Sequence, residues 1–378
     1  MTADISTRSA RSALALGTVV LAMMVTACGG AVDPSVPSSG PSGSGSASPE
    51  TEPSIQPSPS ATTYRIGVSN TVDDGWRAQM VCSIKAEARA SGRVDRLTLA
   101  DRETNAEGQA ADVRNLVATG VDAIVLHPAG ADAITDAVAE AIEAGVVVVS
   151  VGRPIDLEGV YSVTLDQEAY GYLGAKWLFE VLEGKGKVVI MRGQADDPID
   201  TERDAGVKRA LAEFPDVEVV FETQTDWDPT TAVEQMNAFL ATDKAFDGIW
   251  TSGTDSVIVD ALKTAEADLV PIVGADRGSF VSLLLDEEDL VGAAVTDTGA
   301  VGGAGMALAL EVLGGEPPPE AISLVTPQVW GNDTDVGRAT LSEASDPDID
   351  LEWPLSITIP GKTSYSKDEL LACVGPDQ

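Results

Sequence analysis

Carboxylates, one guanidinium, short amide or hydroxyl side chains and two indoles recur at one kind of place in this chain, the end of a short apolar run. Asn70, Asp73, Asp74 and Trp76 follow the run that begins at Tyr64, and Arg153 follows a valine-rich run. Farther along, Asp226-Trp227-Asp228, Thr254-Asp255, Asp276 and Asp297 stand in the same relation to later runs. Asp, Asn and Arg accept or donate hydrogen bonds in pairs, which suits neighbouring hydroxyls that present a donor beside an acceptor. Indole faces lie flat on apolar C–H surfaces and keep water from those bonds. The set fits recognition of a small polyhydroxylated solute. Bond-breaking chemistry finds fewer candidates. The sole histidine, His127, stands directly before Pro128 with no nucleophile beside it, so it makes no triad. It reads as a strand-end packing residue, with a rim contact as the alternative. Gly184-Lys185-Gly186-Lys187 precedes its strand, whereas a phosphate loop must follow one. The acid-rich run from Asp196 to Asp200 lacks calcium-loop spacing and reads as a helix start. No enzyme activity, cofactor or metal is expected.

Each candidate also has a structural alternative. Trp76 could staple the first helix to the core, and Arg153 could pair with a surface acid. Asp276 precedes Arg277, so a local pairing competes with a binding role. Asp73 and Asp74 divide evenly between cleft and solvated loop. Trp177 and Trp250 fall inside a helix and a strand, and core packing is expected for both.

The elements that hold these residues alternate from Tyr64 onward. Strand-like runs at 64–68, 96–100, 123–127, 146–151 and 162–165 are separated by helical stretches at 77–91, 105–118 and 131–144. The rhythm repeats with strands at 187–191, 217–224, 248–251, 271–274 and 291–296 and helices at 167–183, 200–214, 229–242, 256–265 and 302–313. Continuous Val/Ile/Leu blocks predict parallel strands covered on both faces. Two successive units of this kind predict an α/β protein of two similar, doubly wound parallel-sheet lobes. Ligands of such sheets bind beyond the carboxyl ends of the strands, where the candidates lie.

The rest of the chain speaks about location. Arg8 and Arg11 precede an apolar stretch from Ala13 to Val25, too short to span a bilayer and typical of a signal peptide. Val25-Thr26-Ala27-Cys28 resembles a bacterial lipobox, which would make Cys28 a lipidated N-terminus anchoring the protein outside the cell membrane. Residues 29–63, nearly all Gly, Ser, Pro, Ala and Thr, read as a disordered tether spanning roughly 30 Å. The 378 residues carry 60 acidic and 24 basic side chains, a formal net charge of -36. Such a surface repels nucleic acid and anionic lipid headgroups. With Cys28 acylated, Cys82 and Cys373 remain as an even pair in an oxidising compartment. A disulfide between them is expected, with two separate buried thiols as the alternative.

The body resembles the type I periplasmic binding proteins of the ribose-binding kind, the solute receptors of sugar ABC transporters. The likeness rests on ordered segments: Ile66-Gly67-Val68-Ser69-Asn70, Gly120-Val121-Asp122 running on to His127-Pro128, Ala144-Gly145-Val146 with Gly152-Arg153, and Gly184 to Val189. Gly248-Ile249-Trp250-Thr251-Ser252-Gly253-Thr254-Asp255 and Pro271 to Asp276 complete it. The resemblance implies a three-segment hinge near 165–166, 296–298 and 325–328. It implies one lobe of 64–165 plus 299–325 and another of 166–298 plus 326–378. It further implies that Trp76 and Trp227 sandwich a sugar ring, with Arg153, Asp276 and Asp297 on its hydroxyls and Asn70 and Thr254 assisting. The chain departs from the family pattern. Gly152 replaces an aspartate before Arg153, Thr201 stands for a ligand arginine with Arg203 two residues later, Thr254 stands for an asparagine, and Asp297 for a glutamine. That shift towards acids favours a neutral sugar or polyol over acidic sugars and sugar phosphates, with an amino-bearing or nucleoside-like solute as the alternative. The implied partner is an ABC transporter permease, or else a membrane sensor, and the implied working form is a monomer.

Overall fold

Runs of branched apolar residues without polar alternation need cover on both faces, and here successive residues of one strand enter different cores. Ala123 and Val125 pack on one side of their sheet while Ile124 and Leu126 pack on the other. In the second sheet Val189 and Met191 part in the same way from Val188 and Ile190. The computed structural model describes residues 62–71 and 74–377. The leader, Cys28, the tether up to residue 61 and Asp73 lie outside the described residues.

The first sheet takes β1 (Tyr64–Asn70), β2 (Val94–Asp101), β3 (Ala123–Leu126), β4 (Val147–Val151) and β5 (Val160–Leu165). Between them run α1 (Gly75–Ser91), α2 (Ala106–Ala118) and α3 (Ala131–Glu143). After α4 (Gln167–Val181), the second sheet takes β6 (Lys185–Arg192), β7 (Asp216–Gln224), β8 (Gly248–Thr251), β9 (Ile272–Ala275) and β10 (Gly292–Val295). Its helices are α5 (Pro198–Glu213), α6 (Pro229–Leu240), α7 (Asp255–Thr264) and α8 (Gly278–Asp286). The chain then returns as α9 (Val301–Leu313) and β11 (Ile322–Val325), crosses to β12 (Val329–Gly331) and α10 (Asp335–Ala344), and ends in α11 (Lys367–Ala372).

The strand orders are β11-β5-β4-β3-β1-β2 and β12-β10-β9-β8-β6-β7, so the two sheets repeat one topology. All pairs are parallel except β10 with β12. In each sheet the strand order reverses beside the first strand, between β1 and β3 and between β6 and β8. Such switch points open a crevice at the carboxyl ends. Several acids prove to be helix caps: Asp74, Asp166, Asp197 and Asp228 each accept a backbone N–H in the first turn of the helix that follows.

The chain passes between the sheets after β5, after β10 and after β11. A fourth passage was not expected. Leu355 belongs to a core of the second sheet, whereas Ile359, Tyr365 and Leu370 belong to one of the first. The final stretch, expected wholly with the second lobe, therefore packs its apolar side chains against α1 and α9. A disulfide joins Cys82 of α1 to Cys373, with Cα atoms 4.6 Å apart. Among the described residues no helix is long and apolar enough to cross a membrane.

Candidate functional site

The loops after β1, β3 and β4 form one wall. Trp76, in the first turn of α1, sets its ring 5.3 Å from that of His127, centroid to centroid. Gly152 has φ +74, and a Cβ there would lie 2.8 Å from His127 Nδ1 and 2.9 Å from the Trp76 ring. The ring pair thus explains why this position, an aspartate in the family pattern, is glycine. His127 Nδ1 lies 2.8 Å from the Val151 carbonyl oxygen. A carbonyl only accepts, so Nδ1 carries the proton and Nε2 is left as an acceptor. Burial, then the charges of Arg77 and Arg153, hold this imidazole well below its usual pKa, and it is neutral.

The loops after β6, β7, β8, β9 and β10 form the other wall, and its currency is charge. Arg203 of α5 is 3% exposed. Its Nε donates to Gln167 (2.8 Å), Nη1 to the Ser252 carbonyl and hydroxyl (3.2 Å each), and Nη2 to the Asp297 carboxylate (2.8 Å). The guanidinium also lies over the Tyr170 ring, 3.9 Å from its centroid. Burial opposes its charge, yet Asp297 and Tyr170 hold its pKa above the ordinary value. Asp276 is fully buried and accepts from Asp297 N (2.8 Å) and Ser356 N (2.9 Å), which ties the second and fourth passages together. Burial pushes its carboxyl up to about 6, against the pull of those donors.

The two walls meet at Asp297, whose carbonyl oxygen accepts the Trp76 indole N–H (2.8 Å). Trp227 joins through Ser252, donating its N–H to that carbonyl (2.9 Å). Asp226 and Trp227 both hold positive φ, 54° and 55°, a conformation costing roughly 1–3 kcal/mol per residue that surrounding bonds must enforce. Gly193 makes room for the indole, since a Cβ there would fall 2.3 Å from its ring. One network therefore holds Trp76, Trp227, Asp276, Asp297 and Arg203.

Other expected residues have different surroundings. Thr201 is exposed and donates to the Asp197 carbonyl of its own turn, so the buried partner on this helix is Arg203. The helix repeat explains the correction: two residues along an α-helix turn a side chain about 200° to the opposite face. Asp255 is buried, its carboxylate taken by Ala275 N and Ser256 N, and burial raises its pKa. Asn70 pairs with Asp101 and Arg77. Asp74 caps α1 and reaches Arg277 at 3.8 Å. Arg277 thus pairs with Asp74 and Glu352 instead of Asp276. Trp250 is buried as expected, but Trp177 is half-buried with its N–H on Asp333. Thr254 Oγ1 and Arg153 Nε are buried without a protein partner. Arg153 Nη2 meets Asp197 at 2.6 Å. A cavity of about 1430 Å³ opens beside that pair and is also lined by Gln167, Gln194 and Leu324. It flanks the network, for neither Trp76, Trp227, Asp276 nor Asp297 lines it.

Paired acceptors, a guanidinium and indoles at the strand ends of two repeated sheets fit the family whose model, described as a periplasmic binding protein domain, matches residues 66–317. The chain belongs to this family. It is a family of binding proteins, not enzymes. The chain is 29% identical over 234 residues to a xylitol-binding protein of Mycolicibacterium smegmatis, covering 60% of this chain and 66% of that one. It is 28% identical over 231 residues to a putative rhizopine-binding protein of Rhizobium meliloti, covering 58% of this chain and 74% of the relative. The alignments thus span about two thirds to three quarters of these relatives. Among solved structures, the binding component of the arabinose ABC transporter from Shewanella sp. ANA-3, bound to L-arabinofuranose, superposes with a TM-score of 0.67. That likeness, at 23% identity over 74% of this chain and 95% of the other, shows the fold.

Proposed function

We propose that this chain is an extracytoplasmic solute-binding lipoprotein that captures a neutral sugar or polyol between its lobes and passes it to an ABC transporter. The observation that carries the reading is the network across the two strand-end walls, in which Trp76 and Trp227 are joined through Asp297, Arg203 and Ser252. The indoles supply flat apolar faces, and Asp297, Arg153 and Thr254 supply donors and acceptors for hydroxyls. A relative named for xylitol and a fold neighbour holding a furanose support that solute class. Solute touching both walls favours the closed arrangement, with rotation about the passages between sheets as the closing motion. The lipobox at Cys28 supplies the anchor and the Gly/Ser/Pro tether the reach.

A thermal-shift screen of the full chain tests this against pentoses, hexoses, polyols, amino sugars and nucleosides. A ligand that binds only the folded state raises the melting temperature. The expected result is a shift with one or a few neutral sugars or polyols. Shifts confined to cationic solutes would overturn the neutral-solute reading, and no shift with any of them would overturn the sugar reading altogether.

A further inference from the structure

Arg153 leaves β4 in the first sheet and Asp197 lies beyond β6 in the second, yet their side chains meet at 2.6 Å with exposures of 19% and 4%. We propose that Asp197 is a positioning residue that holds Arg153 across the lobe boundary and cancels its charge, so that the cleft closes on uncharged solutes and rejects sugar acids. This rests on the sugar-receptor reading and deepens it.

Both partners are fixed from behind. Asp197 is the N-cap of α5, and its other carboxylate oxygen accepts from Ile199 N at 2.8 Å, with Pro198 opening the helix. Gly152 places the peptide before Arg153 under the Trp76 and His127 rings. A carboxylate clamped at a helix start and a guanidinium on a ring-packed turn are preorganised for one charge-assisted bond. That bond spends Nη2, while Nε stays buried without a protein acceptor, leaving a donor for a ligand oxygen. A ligand carboxylate would meet a guanidinium already neutralised by Asp197. A hydroxyl meets no such penalty. The pair also links the two sheets directly, so it favours closure.

Asp197→Asn separates these roles, because asparagine caps a helix about as well as aspartate but carries no charge. The test uses the full chain, titrated with the panel of neutral sugars and polyols and with the matching aldonic acids. Small-angle scattering of the unliganded protein follows closure in parallel. The expected variant stays folded, gives a larger radius of gyration, and binds the best neutral ligand roughly ten- to a hundredfold more weakly. It also gains binding of an aldonic acid, and a second variant, Arg153→Gln with Asp197→Asn, loses that gain. An Asp197→Asn protein with wild-type dimensions and wild-type rejection of aldonic acids would overturn the proposal and leave Asp197 a helix cap. If wild type binds nothing in the panel, the sugar reading fails, while the scattering comparison still decides whether the pair holds the lobes together.

Discussion

The two walls of the site use the same fold differently. After β3 stands a neutral histidine packed on an indole; after β8, the equivalent strand, stands Ser252, taking bonds from Arg203 and Trp227. The first wall is ordered by ring packing and a glycine that makes room for it. The second is ordered by buried charges, each with a named partner: Arg203 with Asp297, and Asp276 with two backbone N–H groups. Ring packing fails gradually when altered, whereas a buried charge that loses its partner fails sharply. The second wall is therefore where the molecule is brittle, and it is also where its passages between sheets are tied.

Removing the central cation should break that contrast most visibly. Arg203→Ala leaves Asp297 without its cation in a network that already buries Asp276, and the expected loss is about 3–5 kcal/mol of folding stability, read by urea unfolding. A loss under about 1 kcal/mol would show that the second wall is no more brittle than the first.

Asp276 gives a smaller and pH-dependent effect. Its folded carboxyl is pushed up to about 6 by burial, above the unfolded value of 3.8. The folded state therefore holds a proton that the unfolded state releases between these values. The resulting stabilisation is fully present below about 3.8 and is lost as pH rises through about 6. The stability of wild type minus that of Asp276→Asn should accordingly grow as pH falls from 7 towards 4, by a few kcal/mol at most. A flat difference across that range would remove the buried-charge account of this residue.

Much of the architecture was legible in the sequence because the central strands are unbroken apolar blocks. Runs such as Ala123–Leu126 and Gly248–Thr251 are fully buried and leave little else to be. The elements that escaped notice carry weaker patterns. β11 is an edge strand with Ile322 and Leu324 exposed, and β12 has three residues. The helix near residue 200 was legible, but which of its faces looks inward was not, and so Thr201 was expected where Arg203 lies. Asp197 could be read as a helix start, yet its pairing with Arg153 joins two sheets and leaves no local spacing to detect. The return of the C-terminus to the first sheet was hinted at only by Cys82 and Cys373, whose disulfide now fixes that end.

The most direct test of the two-walled site is calorimetric titration of the full chain and of Trp227→Ala with the best neutral ligand from the screen. The account predicts one site per chain and a weakening of roughly a hundredfold in the variant, the value of an indole face withdrawn from a buried contact, with folding retained. Unchanged affinity in a folded Trp227→Ala protein would contradict it.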